Sequence, residues 1–294
     1  MEHLRGKIVK ALSGFYYVSS GGTVYACRAR GVFRKEGVSP LVGDEVEIEV
    51  DGERGTVTAI LPRRNELLRP SVANVDCLVI FASCAIPVTD PFLIDRVTAL
   101  AESKRIQPIL CINKTDLEPG EGLARIYSSA GLPVICTSAV TGEGIDDLWD
   151  AIRGKTVAFT GNSGVGKSAV LHELCPELQP EVGEVSQKLG RGRHTTRHIE
   201  LYSMGENTFA VDTPGFSSFD VDRMEYVPKE RLQEVFPEFQ PYLGRCRFQD
   251  CTHRKEPDCA VLAAVAEGKI QPTRHQSYVR LYELSSQMKP WEQK

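Results

Sequence analysis

The 294-residue sequence predicts a multi-domain α/β protein: a small N-terminal β-barrel, a central open sheet with helices, and a C-terminal helical segment organised by cysteine and histidine. Three observations predict it. Short β-branched or alternating stretches separated by turn residues fill the first 70 residues. From Asp76 onward, apolar runs of strand length alternate with segments of helical period. In the tail, Cys246, Cys251, His253 and Cys259 fall within a short, highly charged span.

The first part, over residues 1–70, contains five expected strands at 7–12, 15–19, 23–29, 44–50 and 55–61, punctuated by Ser13-Gly14, Gly21-Gly22 and Asp51-Gly52. Five short strands in this length suit an OB-fold barrel. Tyr16, Tyr17, Tyr25, Phe33, Arg28, Arg30 and Arg34 either line a groove that stacks bases and holds phosphates, or fill the barrel, as side chains of small barrels do. Residues 62–70 read as a linker carrying the basic pair Arg63 and Arg64.

The central part, over 71–222, opens with a strand at 76–81 and a helix at 92–105 whose apolar positions are Leu93, Ile94, Val97 and Leu100. A buried strand at 108–112 then ends in Asn113-Lys114-Thr115-Asp116. The Asp116 carboxylate can accept two hydrogen bonds from the N1–H and N2–H₂ donors of guanine, which adenine cannot supply, and Lys114 would lie along the base and ribose. A run at 132–136 leads to Thr137-Ser138-Ala139, where a backbone N–H at Ser138 or Ala139 suits the guanine O6.

Next comes a strand at 156–160, followed by Gly161-Asn162-Ser163-Gly164-Val165-Gly166-Lys167-Ser168 and a helix beginning near Ala169. This is the G-x-x-x-x-G-K-[ST] pattern in its strand-loop-helix context. Glycines let backbone N–H groups close on phosphates, the helix N-terminus adds partial positive charge, Lys167 reaches the β- and γ-phosphates, and Ser168 offers a hydroxyl to Mg²⁺. A further apolar run at 208–211 leads to Asp212-Thr213-Pro214-Gly215, which suits an aspartate on a Mg²⁺-bound water and a glycine N–H on the γ-phosphate. Between these motifs lies a basic stretch at 190–198, in which Thr196 is the candidate for a second Mg²⁺ hydroxyl and Thr195 the fallback. The base-reading motif thus precedes the phosphate loop, an inversion that places a circular permutation within a GTP-binding domain.

The tail, over 223–294, carries Cys246-x4-Cys251-x-His253-x5-Cys259. Three thiolates and an imidazole match a four-coordinate, structural zinc site, although the spacing departs from the commoner C-x2-C pairs. Helices are expected at 261–267 and 273–288. The second presents Arg274, His275 and Arg280 beside Tyr278, Leu281 and Tyr282, and either packs on the central domain or touches RNA.

Composition bounds the rest. A hydrophobic fraction of 41% supplies ordinary cores, and no apolar segment is long enough to span a membrane. Cys77, Cys84, Cys111 and Cys136 lie in or beside apolar runs and are expected to behave as small buried residues, which argues for a reducing, cytoplasmic setting. The net charge of −4 does not exclude RNA, because charge acts locally.

Taken together, the barrel, the Asn113 to Asp116 motif, the phosphate loop, Asp212 to Gly215 and the Cys/His cluster, in this order, closely resemble the RsgA, YjeQ or YloQ family of circularly permuted GTPases. The resemblance covers essentially the whole chain. It implies an OB-fold, a permuted P-loop GTPase domain and a zinc-binding helical domain. It also implies a monomer that binds the 30S ribosomal subunit and its 16S rRNA late in maturation and leaves on hydrolysing GTP to GDP. Ras-like enzymes often place a water-orienting glutamine directly after the Asp-x-x-Gly motif, but Phe216 stands there. His194 is the candidate catalytic residue in its place, with an RNA-phosphate contact or a solvated loop position as the alternatives.

Overall fold

The computed structural model describes residues 2–35, 37–68, 71–176, 199–211 and 225–288. The first five strands are β1 (Glu2–Leu12), β2 (Phe15–Ser20), β3 (Thr23–Ala29), β4 (Glu45–Asp51) and β5 (Arg54–Ile60). They close in the order β1-β2-β3-β5-β4-β1, with β3 and β5 parallel and the other pairs antiparallel. Closure removes the exposed edge that an open meander would leave. Ile8, Val18, Cys27, Val46, Ile48 and Val57 fill the interior. A short helix, α1 (Gly31–Lys35), which the sequence reading lacked, bridges β3 and β4 and buries Phe33 in the core.

The filled-barrel alternative accounts for Phe33, and Tyr16 and Tyr25 also pack against the core. Two of the arginines, Arg28 and Arg30, are engaged within the protein. Arg28 lies over the Phe15 ring at 4.7 Å, and Arg30 donates to both Glu49 carboxylate oxygens at 3.1 Å.

Over the described residues 62–68, the expected linker is not free. Arg63 forms a two-pronged pair with the fully buried Asp44 at 2.7 and 2.8 Å and also donates to Glu66 and to the Ser39 carbonyl. Arg64 pairs with Asp76. Strand β6 (Glu66–Leu68) pairs antiparallel with β7 (Ser71–Ala73), so this hairpin straddles the expected boundary at residue 70. Asn65 closes the clasp, donating to the Val75 carbonyl and accepting from the Val75 N–H. Both members of the basic pair are thus engaged by carboxylates, Arg63 largely buried and Arg64 exposed.

The central sheet has the order β10-β9-β8-β11-β13-β12. Strands β8 (Cys77–Ser83), β9 (Gln107–Asn113), β10 (Val134–Cys136), β11 (Thr156–Gly161) and β13 (Thr208–Val211) are parallel, whereas β12 (Ile199–Gly205) runs antiparallel to β13. The uniform βα alternation expected from the sequence therefore breaks at β12. Glu206 and Asn207 both have positive φ, 46° and 57°, the backbone of a tight hairpin whose twist matches the strands. β12 in turn pairs with β1 through Lys10 and Glu200, so the barrel and the central sheet are one continuous hydrogen-bonded surface. Lys7 of the barrel adds a hydrogen bond to Thr156 and sits over Phe209.

Helices α2 (Pro91–Ser103), α3 (Glu121–Ser129), α4 (Ile145–Ile152) and α5 (Lys167–Leu174) cover the sheet. β8, β9 and β11 are buried along nearly their whole length, as parallel strands covered on both faces must be. Burial pushes the Cys77 and Cys111 thiols up to about 12, so they are neutral core groups as expected. Cys136 differs: it is exposed, because it ends the edge strand β10.

The C-terminal part comprises α6 (Lys229–Leu232), two 3₁₀ turns, α7 (Ala260–Ala266) and α8 (Pro272–Gln287). Phe236, Phe239, Val261, Tyr278 and Leu281 form one core with Phe92 and Ala99 of α2. Arg274 of α8 is 1% exposed and bonds Asp95 of α2 at 2.7 Å and Glu238 at 2.7 and 3.1 Å. Burial opposes its charge, but the Asp95 and Glu238 carboxylates outweigh that and push Arg274 up. Of the two readings of this helix, packing on the central domain is the one that its arginine follows. Arg280 likewise lies over the Phe92 ring at 3.7 Å. Arg274→Ala would strand two buried carboxylates, and we expect it to cost about 3–5 kcal/mol. The check is faster amide hydrogen exchange in α8 together with a lower denaturant midpoint.

Candidate nucleotide site and metal centre

Because β8, β9, β10 and β11 are parallel, the loops leaving them gather along one carboxyl edge, where open α/β sheets bind ligands. The phosphate-loop residues leave the centre of the sheet at Gly161 and turn into α5 at Lys167. Val165 is buried and anchors the loop in the core, while Ser163, Gly164, Ser168 and Ala169 are exposed. Gly166 has φ 90°, and a Cβ there would lie 2.2 Å from the Asn113 amide nitrogen, so only glycine fits.

That contact shows what Asn113 does. Its side chain is 2% exposed; Nδ2 donates to the Val165 carbonyl at 2.9 Å, and Oδ1 accepts from Thr137 Oγ1 at 3.2 Å and from the Ala139 N–H at 3.3 Å. One buried amide therefore joins the phosphate loop, the end of β9 and the 137–139 strip. A buried amide that donates one hydrogen bond and accepts two fixes position strongly.

Beside it, Lys114 adopts φ 68° and donates from Nζ to the Ile86 carbonyl at 2.9 Å. Thr115 donates through both its N–H and its hydroxyl to the Thr137 carbonyl. Asp116 is exposed, and Oδ1 accepts from the fully buried Ser138 hydroxyl at 2.6 Å. Ser138 Oγ in turn accepts from the Thr141 N–H, which fixes the direction of its proton toward Asp116. The carboxylate is thus held in one orientation at the open edge. Sequence reasoning placed Asn113, Asp116, Ser138 and Ala139 together, and they do meet. It missed the bracing role of Thr137 within its tripeptide and those of Thr141 and residues 86–87, which no motif marks. Of the other expected site residues, His194, Thr196, Asp212 and Gly215 lie outside the described residues.

The Cys246, Cys251, His253 and Cys259 ligand atoms all lie within 4.8 Å of one another. Cys246 Sγ is 3.8 Å from Cys259 Sγ and 3.5 Å from His253 Nδ1, which is 3.4 Å from Cys259 Sγ. A tetrahedron with bonds of about 2.3 Å to sulfur and 2.0–2.1 Å to nitrogen has edges of about 3.8 and 3.6 Å. The cluster has the size and shape of a Cys₃His metal site. His253 Nε2 meets Gln233 Oε1 at 2.9 Å, which places the ring proton there and frees Nδ1 to face the cluster. The turn is secured from behind, since His275 Nε2 bonds the His253 carbonyl and the Tyr278 hydroxyl donates to that of Thr252.

Against known proteins, residues 60–222 match the model of the RsgA GTPase family and residues 5–57 that of the RsgA N-terminal domain. The chain belongs to the RsgA GTPase family. Small ribosomal subunit biogenesis GTPase RsgA of Caldanaerobacter subterraneus is 43% identical, over 96% of this chain and 95% of its own. The protein of the same name from Geobacillus thermodenitrificans is 45% identical, over 97% and 98%. The crystal structure of YjeQ from Thermotoga maritima superposes with a TM-score of 0.84 at 32% identity, covering 98% of this chain and all of that one. The circularly permuted GTPase YloQ superposes at 0.79 with 36% identity, covering 98% and 97%. This RsgA-family chain is accordingly a GTP-hydrolysing enzyme built on a permuted sheet, as its motif order predicts. No helix among its described residues is long and apolar enough to cross a membrane.

Proposed function

We propose that this enzyme hydrolyses GTP to GDP and phosphate on the 30S ribosomal subunit, binding 16S rRNA late in that subunit's maturation and leaving when the γ-phosphate is lost. The observation that carries the reading is one edge combining a braced guanine-reading carboxylate with a phosphate loop, in a chain whose relatives are named for small-subunit biogenesis. In this reading the protein works as a cytoplasmic monomer with units at residues 1–70, 71–222 and 223–294.

Asn113, Lys114, Thr115 and Asp116 hold guanine, with Ser138 and Ala139 at its O6. Gly161, Asn162, Ser163, Gly164, Val165, Gly166, Lys167, Ser168 and Ala169 wrap the phosphates, and Asp212 and Gly215 report the γ-phosphate. Ser168 and Thr196 would hold Mg²⁺, which neutralises charge developing on the phosphates. The Cys246, Cys251, His253 and Cys259 set would hold one structural zinc, whose four protein ligands leave no open position for hydrolysis. His194 orients the attacking water once the ribosome completes the site.

Unassisted turnover is expected near the intrinsic Ras value of about 10⁻⁴ to 10⁻³ s⁻¹, with a partner adding on the order of 10³ or more. The test compares GTPase rates with and without purified 30S subunits. RNA binding without acceleration would defeat the catalytic part of the proposal. His194→Ala should lower stimulated turnover at least about tenfold while leaving GTP affinity intact. Full stimulated turnover in that variant would remove His194 from catalysis.

A further inference from the structure

The loop between β8 and α2 has no nucleotide motif, yet it touches both halves of the site. Its base is closed by a reciprocal pair: the Ser83 N–H donates to Thr89 Oγ1 at 3.0 Å, and the Thr89 N–H to the Ser83 carbonyl at 3.0 Å. Ser83 Oγ also donates to the Ala85 carbonyl at 3.0 Å. Ser83 and Thr89 are buried, and Asp90 beyond them caps α2 by accepting from the Phe92 N–H. A small loop is thus pinned at both ends to rigid elements.

Two contacts project from it. The Ile86 carbonyl accepts from Lys114 Nζ at 2.9 Å, and Pro87 packs on the phosphate loop, with ring carbons 3.2 and 3.3 Å from where a Cβ on Gly164 would stand. Gly164 has φ 83°, so the phosphate loop presents bare backbone to this ring. Lys114, just past the end of β9, also has positive φ, 68°. A long, flexible amine held by a fixed carbonyl loses its rotamer freedom before ligand arrives.

We propose that residues 84–89 are a positioning strut for the guanine nucleotide: the Ile86 carbonyl preorganises Lys114 along the base, and Pro87 sets the spacing between Lys114 and the phosphate loop. Asn113 joins the two halves from beneath, and this loop joins them from the solvent side. The strut acts through Lys114, so its contribution disappears when Lys114 can no longer reach the carbonyl. The inference rests on the guanine-site reading above.

The experiment is a double-mutant cycle on the full chain, measuring GDP affinity by calorimetry or with a fluorescent GDP analogue. Pro87 is exposed, so Pro87→Gly leaves the core untouched. We expect it to weaken GDP binding about tenfold, the order of one positioned hydrogen bond. In a Lys114→Met background it should have almost no further effect. Thr89→Ala, which opens the loop at its base, should behave the same way, and Thr89→Ser, which keeps the acceptor for the Ser83 N–H, should restore affinity. Unchanged affinity in Pro87→Gly and Thr89→Ala, or losses that simply add to that of Lys114→Met, would overturn the strut while leaving the guanine site standing. Lys114→Met binding GDP as tightly as the parent chain would overturn the site reading itself.

Discussion

An Asp116→Asn variant is expected to lose GTP affinity by on the order of 10⁴-fold, the largest functional effect predicted for any single substitution here. The reason lies in donor and acceptor count. Guanine presents two donors, N1–H and N2–H₂, and a carboxylate accepts both, whereas an amide offers one acceptor and one donor and sets its N–H against the 2-amino group. Ser138 already directs its hydroxyl at Asp116 Oδ1, so the new amide cannot rotate freely to avoid the mismatch. The same reasoning predicts a gain. Xanthine carries a carbonyl where guanine has the amino group, so xanthosine triphosphate should bind the variant better than GTP. Titration of both nucleotides against both proteins decides the matter, and a variant that still prefers GTP would dismiss Asp116 as the base reader.

Removing the metal is expected to cost the C-terminal segment its order. Structural zinc in small peptides contributes about 10–16 kcal/mol of apparent folding free energy. Here part of that is shared with the core of Phe236, Phe239 and Tyr278, so the loss should fall below that range while still exceeding a typical core truncation. The purified protein should contain about one zinc per chain by elemental analysis, falling to none in Cys259→Ser. Strong chelation should expose the amides of 243–260 to hydrogen exchange and, through Arg274 and Asp95, loosen the docking of α8 on α2. The nucleotide edge, whose bracing runs through Asn113 and Ser138, should keep its GDP affinity. A metal-free protein with unchanged exchange would show the cluster to be a reduced thiol pocket.

How much could be read from the chain alone differs from part to part. The phosphate loop and the Asn113 to Asp116 motif were legible because they are local: both need particular residue types at fixed spacing after a strand. The Cys/His cluster was legible for the same reason, its ligands lying within 14 residues from Cys246 to Cys259. The fate of basic residues was not. Arg63, Arg64 and Arg274 look alike in sequence to any solvated arginine, yet Arg274 is 1% exposed and one of its carboxylates, Asp95, lies in a helix 179 residues earlier. Pairing at that separation leaves no local pattern. The linker reading failed likewise over the described residues 62–68, where Arg63, Arg64 and Asn65 are held by Asp44, Asn74 and Val75 rather than by propensity of their own.

The sequence by itself set the class of chemistry proposed for each site: a carboxylate for guanine, glycine-rich backbone for phosphate, soft ligands for a metal. It also determined the permutation, because motif order is a property of the chain. Tertiary structure alone decided how those parts are held. Asn113 reaching Val165, Ser138 orienting Asp116, Ile86 receiving Lys114 and Arg274 entering α2 are contacts between segments distant in sequence. Residue type sets which hydrogen bonds a group can make. Only packing, which closes the loops between distant segments and excludes water from Asn113 and Arg274, decides which of them it does make.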